Sequence, residues 1–152
     1  MVGVPVGEED GLEVGGVTVQ AIPYALEGDE VDATAFQVTD GDATLLIAAD
    51  DARYLPEDDL PAGIDLAVFE CGLFDEGPDG ETLLTETDQE FLTEELSHDE
   101  VMARIDRVAP QRTLLTEIEH LAGRSHDDFR AMAEQPAYDS VQFAYDGLRL
   151  EV

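Results

Sequence analysis

The chain has 152 residues, a length that predicts one domain, and its hydrophobic fraction of 43% is large enough for a sizeable core. The 37 acidic residues and 7 basic residues, all of them Arg, give a net charge of −30. Dispersed acids without Lys are typical of proteins that work at very high salt, where self-repulsion is screened. The alternative, an acidic interaction face, would cluster the charge. This surface disfavours nucleic acid and anionic membranes as partners.

The single cysteine, Cys71, excludes an internal disulfide. It follows an apolar segment, so we expect a small buried hydrophobe rather than a nucleophile. No signal peptide or apolar run of membrane length is visible, and we therefore expect a cytoplasmic protein.

The first half of the chain predicts a run of strands within a single domain of residues 1–152. Residues 1–16 form an N-terminal turn region, in which residues 7–16 are rich in Gly and acids. Alternation and apolar runs predict three strands. They are residues 17–22, ended by Pro23, residues 33–38, and residues 43–49, the last two joined by an Asp40–Gly41 hairpin turn.

The second half predicts an alternation of strands and helices. A loop with one helical turn (53–63) precedes a buried strand (65–70) and an exposed acidic excursion (74–87). Ser97 and Glu100 form a capping box for a helix that Pro110 ends. The remaining predicted elements are a strand (112–116), a helix capped by Ser125, and a final hairpin of residues 141–145 and 148–152. We predict an α+β fold: a mixed sheet with helices on one face, whose other face needs cover.

Two acids, Asp50 and Asp51, follow the predicted central strand. Carboxylates at the end of a rigid strand suit hard or borderline cations, and one carboxylate can bridge two metals. The alternative is that both residues cap the turn that follows.

A second polar group follows the strand at residues 112–116. Glu117, Glu119 and His120 offer one imidazole and two carboxylates, a donor mixture that suits Zn, Mn or Fe. The alternative is a solvated acidic surface that carries a histidine.

Two further histidines stand at predicted helix starts. A protonated His98 could act as a general acid toward a leaving oxygen, and the alternative is an exposed side chain in the first turn. We expect His126 to be exposed and to have no role. The chain has no phosphate-binding Gly loop, no Ser or Cys nucleophile motif and no His-x-His-x-Asp-His cluster.

Taken in order, five segments from residue 17 onward resemble the C-terminal half of a metallo-β-lactamase-fold hydrolase. The closest branch is that of the phosphoribosyl cyclic phosphodiesterases and ribonuclease Z-like phosphodiesterases. The segments are residues 46–51, 65–70, 97–100, 114–117 and 143–148. The resemblance implies that Asp50 is the aspartate that bridges two metals and that His98 is the proton donor of some members.

The chain departs from this family at its ligands. The half that carries His-x-His-x-Asp-His is missing, Tyr24 stands in place of one ligand His, and Glu117 stands in place of the last. The resemblance implies a Zn or Mn hydrolase of phosphodiesterase type, inactive alone, with catalytic His98 and the metal ligands Asp50, Glu117 and His120. The alternative is a non-catalytic, self-associating binding or scaffold module.

The resemblance also implies that one sheet face is uncovered, because the full fold packs two such halves sheet against sheet. A soluble protein rarely exposes so large an apolar face. We expect the cover to be a second copy of this chain in a homodimer, a separate chain that supplies the first half of the fold, or a missing N-terminal segment.

Overall fold

The computed structural model describes residues 11–25, 33–81, 96–118 and 123–152, except for the side chain of Asp59. Within these ranges the chain forms seven strands, two α-helices and three short 3₁₀ turns. The strands are β1 (Leu12–Val14), β2 (Val17–Tyr24), β3 (Ala33–Thr39), β4 (Thr44–Ala48), β5 (Leu66–Glu70), β6 (Arg112–Thr116) and β7 (Val141–Phe143). The helices are α1 (His98–Val108) and α2 (His126–Ala133), and the 3₁₀ turns are Ala52–Tyr54, Glu57–Asp59 and Pro136–Tyr138.

The strands form one mixed sheet, and their order in the sheet follows the chain from β1 to β7. The pairs from β1 to β4 are antiparallel, whereas the pairs from β4 to β7 are parallel. Parallel strands need crossover connections. Helix α1 lies in the crossover from β5 to β6, and α2 lies in the crossover from β6 to β7. The predicted mixed α+β sheet is therefore confirmed.

One face of the sheet carries the core. Its buried side chains alternate along the strands, as a half-buried sheet requires. They include Ala35, Leu46, Ala48, Phe69, Leu115 and Phe143. Both helices bury apolar residues in the same core, namely Val101, Ile105 and Phe129. This face is the helix-covered face.

The opposite face, here the open face, is also apolar. Two rows of directly paired residues cross it from strand to strand. The first row is Leu12, Val19, Val38, Leu45 and Leu66, and the second is Ala21, Phe36, Ile47, Val68 and Leu114. Apart from Leu66, all of these side chains are half-buried or exposed.

The predicted capping box at Ser97 and the predicted cap at Ser125 are both present. The Ser97 hydroxyl accepts from the backbone N–H of Glu100, and the Glu100 carboxylate accepts from the backbone N–H of Ser97. Ser125 and Asp128 repeat this arrangement at the start of α2. These local signals fix where both helices begin.

Three boundary predictions are wrong. Pro23 does not end β2 but lies within it, opposite Thr34. It is tolerated because, among the described residues, β1 pairs with β2 only at residues 17–19, which leaves Pro23 without a neighbouring strand on that side. Residues 148–152 do not form the second strand of a hairpin, since β7 pairs in parallel with β6 instead. In the N-terminal turn region, Leu12–Val14 is a strand that pairs with β2.

Two further expectations concern the burial of Cys71 and the presence of a helix that could span a membrane. Cys71 is fully buried, as predicted, and burial raises the pKa of its thiol to about 12. No helix in the described part of the chain is long and apolar enough to cross a membrane.

Candidate functional site

Two of the acids singled out in the sequence, Asp50 and Glu117, follow strands that end at one edge of the sheet, here called the rim. Because β4, β5 and β6 are parallel, their carboxyl ends meet at the same edge. Asp50 follows β4, Glu70 ends β5, and Glu117 follows β6. One strand separates Asp50 from Glu117, which places their backbones about 10 Å apart, or two strand spacings. Both carboxylates are exposed.

Asp50 and Asp51 make different contacts at the rim. The Asp51 carboxylate accepts a hydrogen bond of 3.2 Å from the backbone N–H of Arg53, and so caps the 3₁₀ turn at Ala52–Tyr54. Its backbone is left-handed, with φ of 32°. For Asp51, the alternative of a capping residue is therefore correct. Asp50 instead exposes its carboxylate, while its backbone carbonyl accepts a hydrogen bond from the Tyr24 hydroxyl.

The surroundings of Tyr24, which the resemblance puts in the place of a ligand histidine, hold its side chain as a neutral phenol. The side chain is only 6% exposed. Its hydroxyl donates to the Asp50 carbonyl oxygen at 2.8 Å. Burial, together with the negative charges of Glu70, Asp50 and Asp51, raises its pKa to about 12. A protonated hydroxyl with this partner is a structural donor rather than a metal ligand.

Two buried charged residues fix the loop that follows Asp51. The Glu70 carboxylate accepts from the backbone N–H of Ala52 at 2.8 Å. The Arg104 guanidinium, which α1 supplies, donates to the Leu55 carbonyl at 3.2 Å and pairs with Glu57 at 2.9 Å. Charge-assisted bonds of this kind hold the backbone firmly. No local sequence pattern predicts this support, because its partners lie far apart along the chain.

Glu117 has a strained backbone. Its φ of 53° lies in the left-handed region, which a residue with a Cβ adopts at a cost of about 1–2 kcal/mol. The preceding residue is held in place, since the Thr116 carbonyl accepts from the Cys71 N–H at 2.7 Å and its hydroxyl donates to the Phe69 carbonyl. Strain of this kind is often stored at functional sites. Glu119 and His120, predicted beside Glu117, lie outside the described residues.

His98 is buried, not exposed, so the expectation of an exposed first-turn histidine is wrong. It is only 4% exposed and stacks on Phe74, with ring centroids 4.1 Å apart. Its Nδ1 lies 2.7 Å from the Cys71 carbonyl oxygen, which can only accept, so Nδ1 carries the proton. Nε2 then accepts from the Tyr138 hydroxyl at 2.9 Å. Burial lowers the pKa of His98 and favours the neutral ring.

A cleft of about 320 Å³ lies beside His98. Its lining combines acidic and basic side chains, and the Arg124 guanidinium stacks 4.4 Å above the ring of Phe74. Arg124 also donates to the Glu76 carbonyl at 3.0 Å. His98 therefore forms part of one cleft wall although most of its ring is covered. His126, as expected, is exposed, and it contacts the edge of Tyr145.

The described residues alone do not fit a metal centre. Among them, no group of three or more His, Cys, Asp and Glu side chains lies close enough to hold an ion. Tyr24 donates its proton within the rim, and Asp51 caps a turn. Asp50 and Glu117 remain as exposed carboxylates on a common edge. A metal would thus need donors beyond the residues described in this chain.

Comparison with solved structures identifies the fold. The chain has the fold of about half of a metallo-β-lactamase-fold protein. It is similar to the metallo-β-lactamase fold protein YhfI from Bacillus subtilis, with 20% identity, a TM-score of 0.59, and coverage of 97% of this chain and 54% of that one. No protein-family model and no curated protein matches the chain.

Two more structures show the same half-length likeness. A diphosphatase from the PhnP family shares 18% identity with a TM-score of 0.56, over 95% of this chain and 46% of that one. Zn²⁺-bound PqqB from Methylobacterium extorquens shares 19% identity with a TM-score of 0.54, over 97% and 51%. The chain therefore spans about half the length of the solved structures it matches.

Proposed function

We propose that this chain is one half of a metal-dependent hydrolase of phosphodiesterase type, inactive by itself. The observation that carries the proposal is the rim, where parallel strands bring Asp50 and Glu117 to one edge of a metallo-β-lactamase-type sheet. Among the matched structures, one is a diphosphatase and another binds Zn²⁺. These names support a divalent metal, Zn or Mn, and a phosphate ester or anhydride as substrate.

In this proposal Asp50, Glu117 and His120 are this chain's metal ligands. The remaining donors would come from a polypeptide that carries the His-x-His-x-Asp-His sequence. His98 is the proposed proton donor. Because the neutral ring carries no proton on Nε2, which accepts from Tyr138, this role requires that Nε2 first takes up a proton and that the Tyr138 hydroxyl then accepts from it or moves aside.

Metal analysis tests the proposal. The purified chain would be dialysed against Zn²⁺ or Mn²⁺ in molar KCl, alone and with a polypeptide carrying the His-x-His-x-Asp-His half, and bound metal would be measured by mass spectrometry. We expect metal only in the mixture. The Asp50→Asn variant should lose it, whereas Asp42→Asn, which alters an exposed turn acid, should not. No bound metal in either sample would rule the proposal out.

The second candidate is a non-catalytic, self-associating binding or scaffold module. Tyr24 favours it, because a buried, protonated phenol occupies the place of a metal ligand. The open apolar face also favours it, since that face offers a surface for association. A metal-free homodimer at high salt would favour this candidate over the hydrolase.

We propose that the protein works in the cytoplasm of a halophile. The support is the net charge of −30 without any Lys, which suits molar salt. The buried thiol of the lone Cys71 is compatible with a reducing compartment.

A further inference from the structure

We infer that, when no polypeptide covers it with the first half of the fold, the open face of the sheet binds the open face of a second copy of this chain. The inference starts from the two rows of paired residues that cross β1 to β6. All ten side chains in these rows are apolar, although 29% of the residues in the chain are charged. At their margins, Phe36 is 40% exposed and Leu12 is 49% exposed.

The size of the face fits a dimer. Six strands spaced about 4.8 Å apart, each about five residues long, cover roughly 400–500 Å² of flat sheet. Side chains that stand out of the sheet enlarge its accessible area toward the ~800 Å² that each partner buries in a standard interface.

The charge distribution favours a second copy. Two chains of charge −30 repel each other wherever their acidic surfaces meet. From β1 to β5 the rows of the open face contain no ionisable side chain, and the residue that continues the first row on β6, Arg112, is basic, so a contact there keeps the acids at the periphery. The face is also self-complementary: Val, Leu and Ile side chains on twisted sheets interdigitate about 10 Å apart when two such sheets stack. A two-fold axis uses the same patch on both copies.

The test measures the mass of the species in solution. Its failure is therefore distinguishable from failure of the hydrolase proposal, which is tested by the amount of bound metal. The full chain would be studied by light scattering and sedimentation over a range of concentrations in molar KCl. We expect a species of twice the 16.5 kDa chain mass. A wild-type chain that stays monomeric at all concentrations would overturn the inference, including one that binds a His-x-His-x-Asp-His polypeptide instead.

Variants locate the interface. Phe36→Glu places a charge on the open face of both copies and should raise the dissociation constant at least 100-fold. Gln20→Glu adds the same charge to an exposed position on the other face and should leave it unchanged. Circular dichroism checks that each variant folds. If Phe36→Glu does not fold, Leu12→Glu on the exposed strand β1 replaces it, with an expected increase of at least tenfold. A folded open-face variant that dimerises like the wild type would show that another surface is used.

Discussion

Replacing Tyr24 with Phe removes one hydroxyl group and tests whether a neutral phenol holds the rim together. That hydroxyl donates a 2.8 Å hydrogen bond to the backbone carbonyl of Asp50. One such bond contributes about 1 kcal/mol to stability. For a domain of this size, the loss corresponds to a fall of about 2–4 °C in the melting temperature. We expect this fall near pH 8 in molar KCl, measured by circular dichroism.

The pH dependence of the same variant gives a sharper test. The pKa of Tyr24 is raised from 10.0 to about 12, mainly by burial and then by the charges of Glu70, Asp50 and Asp51. Since the folded-state pKa lies above the unfolded one, the stabilisation is complete below pH 10 and is lost as the pH rises toward 12. Without screening, this loss would reach ~2.7 kcal/mol. Solvent at the rim screens these charges, so we expect about 1 kcal/mol.

The advantage of the wild type over Tyr24→Phe should therefore shrink as the pH rises above 10. An absorbance titration of tyrosinate should show one late-titrating phenol fewer in the variant than in the wild type, because burial also raises the pKa of Tyr138, which the variant keeps. Tyr54→Phe is the control, because it removes a phenol that is 49% exposed. A stability difference that stays constant up to pH 11.5, or a wild type in which all four tyrosines titrate together, would refute the reasoning.

Three further outcomes are expected. Burial lowers the pKa of His98 below 6.5, so the stability that the neutral ring contributes is present above pH 6.5 and is lost as the pH falls through the folded-state pKa. In unfolding experiments at a series of pH values, His98→Gln should therefore lose less stability at acid pH than the wild type. Equal losses in both proteins would contradict this. Ala109 ends α1 with a left-handed φ of 49°, a conformation that glycine adopts without strain, so Ala109→Gly should raise the free energy of unfolding by about 0.5–1 kcal/mol. The control Ala103→Gly, inside the helix, should lower it by about 1 kcal/mol, and chemical denaturation measures both. Raising KCl from about 0.2 M to 2 M should raise the melting temperature by several degrees through screening of the −30 charge; a salt-independent melting temperature would argue against the high-salt interpretation.

The elements that the sequence predicts well depend on neighbouring residues. Ser97 and Glu100 lie three residues apart, so their capping box is visible in the sequence and sets the start of α1. Apolar runs likewise locate β4 and β5, and the order of strands at the rim follows from their connections. Pro23 misleads because its tolerance depends on the length of β1, a separate strand.

The environment of His98 could not be predicted in this way. Its partners, Cys71, Phe74 and Tyr138, lie up to 40 residues away along the chain. The capping box predicts only that His98 stands in the first turn, where side chains are ordinarily exposed. The packing of α1 and the 3₁₀ turn at Pro136–Tyr138 around the sheet buries it, and no local pattern records that packing.

The backbone of the rim bears on the choice between the two candidate functions. Asp51 and Glu117, which follow β4 and β6, are two of the three non-glycine residues with positive φ in the described part of the chain. Each such conformation costs about 1–2 kcal/mol that a glycine would avoid. The third, Ala109, is an ordinary helix end. A scaffold that binds only through its open face gains nothing from the strained backbone of Glu117 at the end of β6. A site that binds a ligand at the rim gains a carboxylate held at a fixed position. The strain at Glu117 therefore favours a rim with a ligand of its own, even though the described residues contain no group of three donors that could hold a metal by themselves.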